Sequence, residues 1–148
     1  MKRIMLAMVM MLSVSAAYAE NREVKVIGNG TVIIDHDTNL MWASGGLDAG
    51  CNYGITEKWI DAVNYCRGLD YALRQDWRLP TKAELLSINY EQTHSALIAP
   101  YWSSTDDGTD FAWYVLFRSD YVTASPKTER NYVRCVRAYT VKNDNSGI

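Results

Sequence analysis

Histidine is scarce in this chain, with only His36 and His94 among 148 residues. Neither histidine has an identifiable serine or cysteine partner, and both read as surface residues. No Gly-x-Ser-x-Gly elbow occurs, and Ser103 and Ser104 alternate in a strand-like run, so the sequence composes no nucleophile with its base. Positive charge is also short. Lys and Arg number 15 against 17 Asp and Glu. Without an N-terminal leader that holds Lys2 and Arg3, 13 basic residues face 17 acidic ones, a formal charge of −4. That balance argues against nucleic acid as a partner, because duplex binding depends on neutralising phosphates with a concentrated basic face. Long apolar runs are confined to residues 4–14, too short for a stable span of about 20 residues, so no membrane span is expected. Internal repeats, low-complexity segments and a lipidation cysteine are missing too.

What is present begins with an export leader. Lys2 and Arg3 precede the apolar run, and Ala17-Tyr18-Ala19 has the small-x-small pattern of a cleavage site. The expected organisation is a signal peptide over 1–19, one domain over 20–141 and a flexible polar tail over 142–148, with the mature protein soluble in the periplasm or outside the cell. In such a compartment two of Cys51, Cys66 and Cys135 are expected to pair. Cys66 falls on an apolar helix face and Cys135 in a run between Val133 and Val136, which makes those two the pair. A link across about 70 residues stabilises by roughly 4 kcal/mol in the chain-entropy model. Cys51, in a glycine-rich loop, is left as a free thiol or an intermolecular partner.

The chain is organised around residues 76–86, DWRLPTKAELL. Pro80 fixes its own φ and drives Leu79 to an extended conformation, so the chain runs straight from Trp77 and turns helical after Pro80. Thr81 and Glu84 form a T-x-x-E capping box before Leu85, Leu86 and Ile88. Upstream, Val24 and Val26, then Val32, Ile33 and Ile34, predict two strands broken by Gly28-Asn29-Gly30, with Leu40, Met41 and Trp42 returning in a third. Residues 45–54 read as a loop. Trp59, Ala62, Val63, Cys66 and Leu69 recur at helical spacing and predict a helix over about 57–68, capped by Thr56. Residues 89–100 read as a loop. Residues 101–105, a turn at 106–110, a strand over 111–118 and a last strand over 131–139 complete the reading.

The motifs LMW, YC, DWRLPT followed by EL, YWSST, AWYVLF and YVRCVR, in that order, resemble the Lcl C-terminal domain family, named for the end of a bacterial collagen-like adhesin. The WRLPT-x-x-E segment is also similar to one in formylglycine-generating enzymes. The resemblance covers roughly residues 31–139. It implies an α+β, C-type lectin-like fold, with two short helices beside a twisted, mostly antiparallel sheet and a disulfide from the first helix to the last strand, which matches Cys66 and Cys135. It also implies export, and association with sulfated polysaccharide in the adhesin.

The candidate sites follow. Arg78, Lys82, Arg118, Lys127, Arg130, Arg134 and Arg137 converge on one face if the last strand lies beside the Trp77 segment, and arginine forks suit sulfate and carboxylate groups. The alternative is local pairing of these cations with Asp and Glu. Trp77, Trp102 and Trp113 read as core. Asp106, Asp107 and Asp110 around Gly108 are candidate calcium ligands and, equally, ordinary turn residues. Asp35-His36-Asp37 reads as a strand-to-turn segment. The calcium-lectin triplets Glu-Pro-Asn, Gln-Pro-Asp and Trp-Asn-Asp are absent, and no cofactor is expected beyond a weak case for calcium. Formylglycine-generating enzymes use two reactive C-terminal cysteines where this chain has one. The expected function is therefore a non-enzymatic binding module for a glycan or surface polymer. The alternatives are an envelope assembly subunit that docks another protein, and an enzyme related to the formylglycine-generating class.

Overall fold

The computed structural model describes residues 21–28, 30–43, 56–88, 99–117, 119 and 121–141. The leader, Cys51 with its loop, His94, Arg118 and the tail lie outside the described residues. Nine strands and two helices are described: β1 (Arg22–Ile27), β2 (Gly30–Asp35), β3 (Leu40–Ala43), β4 (Thr56–Glu57), α1 (Trp59–Arg67), α2 (Lys82–Ile88), β5 (Pro100–Asp106), β6 (Phe111–Leu116), β7 (Tyr121–Pro126), β8 (Asn131–Tyr132) and β9 (Val136–Ala138). The fold is α+β with mostly antiparallel strands, and these fall into two sheets. One has the order β1-β2-β3-β9 and the other β4-β8-β5-β6-β7, with a single parallel contact, Tyr101↔Tyr132.

Strands β2 and β3 are covered on both faces, which explains their near-continuous apolar character. Val32, Ile34, Met41 and Ala43 point into one cluster with Ala62 and Cys66 of α1, Trp77, Leu79 and Trp102. Ile33, Leu40, Trp42 and Val136 point into another with Leu85 and Ile88 of α2, Tyr101, Val115 and Phe117. Strand alternation divides the side chains between the two clusters. Two of the buried indoles satisfy their N–H on backbone carbonyls: Trp102 Nε1 donates to the Glu57 carbonyl at 2.7 Å and Trp77 Nε1 to that of Tyr71 at 3.1 Å. Tyr71 lies so close to β2 that a Cβ on Gly30 would meet its ring at 2.7 Å. Its hydroxyl accepts from the Thr31 N–H at 2.8 Å and donates to the Thr31 carbonyl at 2.9 Å.

The capping box forms as the spacing dictates. Thr81 Oγ1 accepts from the Glu84 N–H at 3.2 Å, and Glu84 Oε2 accepts from the Thr81 N–H at 2.8 Å. Leu85 and Ile88 are buried, whereas Leu86 is exposed. Cys66 and Cys135 form a disulfide across 69 residues.

Four expectations need correction. Thr56 does not cap α1: it pairs with Tyr132 in β4, and the helix starts after Lys58, which offers no side-chain cap. Residues 131–139 are not one strand. Asn131 and Tyr132 belong to one sheet and residues 136–138 to the other, because the chain crosses between sheets at 133–135, where Cys135 is tied to α1. Residues 121–126 form a full strand on β6, in unbroken register from Phe111↔Pro126 to Leu116↔Tyr121. Trp113 is only partly buried.

Candidate functional site

The geometric condition for convergence of the cations is met. Arg78 and Val136 exchange backbone hydrogen bonds of 2.9 Å in each direction, so the Trp77 segment lies along β9. The side chains that this brings together are nevertheless largely neutralised from within. Arg78 grips Glu84 with both Nη atoms, at 2.8 and 2.6 Å. This fork raises the Arg78 pKa and holds the Glu84 carboxyl below its usual range, with the Thr81 N–H adding to the latter. Arg137, nearly buried, forks onto Asp76 at 2.6 and 3.1 Å and sets Nη1 3.6 Å from Met41 Sδ. Arg130 pairs with Glu57 at 3.3 Å. Lys127 pairs with Asp106 at 3.4 Å and lies 4.6 Å above the Trp59 ring.

Two cations differ. Lys82, the first residue of α2, has no carboxylate within ion-pair distance among the described residues, and its Nζ lies 3.9 Å above the partly buried ring of Trp113. Its position is set from two sides. The Lys82 N–H donates to Thr105 Oγ1 at 3.0 Å, and the Ser104 N–H donates to the Pro80 carbonyl at 2.7 Å, which clamps the start of α2 onto β5 beside Trp113 on β6. The result is an aromatic face carrying an unneutralised ammonium. Arg134 is the second exception. It is 4% exposed and lies 5.8 Å from the Trp42 ring and 5.9 Å from the Phe117 ring. Its Nε and the nearby Trp42 Nε1 are both buried donors without an acceptor among the described residues.

Asp106 and Asp107 hold the turn with their side chains, and the Asp110 carbonyl accepts from the Lys127 N–H at 2.8 Å. Asp106 Oδ1 accepts from the Gly108 N–H at 2.8 Å, and Asp107 Oδ1 accepts from the Thr109 N–H at 3.0 Å and from its hydroxyl. The Thr109 bonds hold the Asp107 carboxyl below its usual range. No three His, Cys, Asp or Glu side chains come together as a metal-holding group among the described residues. Asp35 is fully buried, takes Arg22 Nε at 3.1 Å, and accepts from the N–H groups of Asp37 and Thr38, the strand-to-turn role its neighbours suggested. Ser103 is buried and donates to the Trp113 carbonyl at 2.7 Å. Cys135 is held in the disulfide, so its thiol is not free.

A feature the sequence did not announce is an open groove of about 600 Å³ lined by Asp70, Leu73, Arg74, Gln75 and Asp76. It borders a tight turn in which Ala72 and Leu73 both take positive φ, 53° and 59°, between the paired residues Tyr71 and Arg74. Such a turn normally advertises itself through Asn or Gly, and here the Ala-Leu pair conceals it.

The family model of the Lcl C-terminal domain matches residues 31–137. No curated protein matches the chain.

Proposed function

The chain belongs to the Lcl C-terminal domain family, which makes it a binding or structural module, and from that premise we propose that it is an exported, non-enzymatic module that binds a glycan or other surface polymer through Lys82 and Trp113. The observation that supports this reading is the Lys82 ammonium poised 3.9 Å over the partly buried Trp113 ring with no carboxylate among the described residues to neutralise it. An indole face suits the C–H face of a sugar ring, and the ammonium suits an acidic substituent. Arg78 and Arg137, each already forked onto a carboxylate, act in this reading as scaffold for the site.

The test is an array of neutral, acidic and sulfated glycans, probed with and without calcium and compared with Trp113→Ala and Lys82→Glu. Saturable binding that both substitutions abolish supports the assignment. Binding that survives both refutes the Lys82 and Trp113 site, and a blank array moves the function to docking of an envelope protein.

A further inference from the structure

The outer edge of the first sheet carries a charge pattern that selects its own partner. Strand β1 has β2 on one side and, among the described residues, no strand on the other. It runs in unbroken register with β2 from Arg22↔Asp35 to Ile27↔Gly30, with no bulge and no proline to blunt it. On the face it shares with Ile33 and Trp42, Val24 and Val26 are 60% and 76% exposed. On the other face stand Glu23 and Lys25, with Lys25 Nζ 3.2 Å from Glu23 Oε2 and both side chains more than a third exposed.

We propose that β1 is a self-association edge: a second copy of the chain adds its β1 antiparallel to this one, about a two-fold axis through Val24. In a continuous sheet the axis stands normal to the sheet, so it must pass through a residue position, since a half-step would oppose side chains on different faces. An axis at Glu23 sets two glutamates against each other, and an axis at Lys25 opposes two lysines. At Val24 the pattern is complementary. Glu23 faces the partner's Lys25 and Lys25 faces the partner's Glu23, while Val24 meets its own copy on the apolar face. Each carboxylate then lies between two ammonium groups, and the two four-stranded sheets become one.

Among the described residues no other edge offers this. Strand β7 ends in Pro126 and carries no charge in YVTASP to set a register, the outer side of β9 is taken by the Arg78 backbone, and β4 is only Thr56 and Glu57, too short to pair a strand. The association uses none of the residues of the Lys82 and Trp113 site, so either stands if the other fails.

Sedimentation of the purified protein over a concentration series tests it. The unsubstituted protein is expected to form a reversible dimer, and Glu23→Lys or Lys25→Glu alone to weaken it by about tenfold through like-charge opposition. An equimolar mixture of the two variants is expected to regain association as a heterodimer, because an all-basic edge then meets an all-acidic one. That rescue also shows that both variants are folded. A monomer at every concentration, a dimer indifferent to either substitution, or a mixture that fails to associate overturns the proposal.

Discussion

Replacing Glu84 with Gln isolates the charge that joins the helix cap to the Trp77 segment. In the native structure one carboxylate receives three donors: both Nη atoms of Arg78, at 2.8 and 2.6 Å, and the Thr81 N–H at 2.8 Å. The Arg78 side chain is 43% exposed, so solvent screens the ion pair and its share is no more than about 1 kcal/mol. The cap bond to a charged acceptor adds about 1 kcal/mol. Gln keeps one acceptor for Thr81, which sets the expected loss near 1 kcal/mol, whereas Ala at this position loses about 2 kcal/mol. For a domain of this size the Gln variant should melt about 3–6 °C lower. The pH dependence follows from the direction of the shift. The folded Glu84 carboxyl titrates below its unfolded counterpart, so its contribution is complete above the unfolded value of about 4.3 and is lost as pH falls through the lower folded value. Urea unfolding of both proteins from neutral to acid pH, disulfide intact, should show the gap closing on acidification. A gap that persists unchanged in acid refutes the account.

Arg134→Met should raise stability by about 1–3 kcal/mol, because it removes a buried cation that has no carboxylate among the described residues while keeping side-chain volume; a loss on denaturant titration means that the ring contacts with Trp42 and Phe117 outweigh desolvation. The double variant Cys66→Ser, Cys135→Ser should lose about 4 kcal/mol in the same assay, and the unsubstituted protein should lose a similar amount in reductant. Calcium or chelator should leave the melting temperature unmoved, since Asp106 Oδ1 and Asp107 Oδ1 are engaged by the turn and Asp106 Oδ2 faces Lys127; a rise that saturates with calcium refutes the turn reading.

What the sequence disclosed was local. The Thr81 and Glu84 box, the helical face of Ala62, Val63 and Cys66, and the hairpin built on Gly28 are each written within a few residues, and each formed. Cys66 and Cys135 were legible across a long separation because both lie amid apolar neighbours that had to be buried. The misses depend on distant partners. YVTASP offers only Tyr-Val-Thr before small residues and Pro126, too short a signal to fix a strand until β6 lies beside it, and the 131–139 run looks uniform until two different sheets claim its ends. The candidate site was half legible for the same reason. The cations were visible, but the carboxylates that neutralise Arg137 and Arg130 lie 61 and 73 residues away, and only Glu84 was near enough to suspect. Trp113 was misplaced in the core because alternation assigns a face without saying what covers it.

The crossing of the chain between sheets at residues 133–135 has a consequence for the order of assembly. Strand β8 pairs with both β4 and β5, and β9 closes the other sheet on β3. Neither sheet is complete until residues 131–138 are in place, and the stretches that wait for them begin some 75 to 100 positions earlier. This is a fold of high contact order, slow to form and without a stable N-terminal half to fall back on. A ribosome-bound chain lacking its last two strands should therefore stay open, and truncation before Asn131 should abolish cooperative unfolding altogether rather than trim one edge.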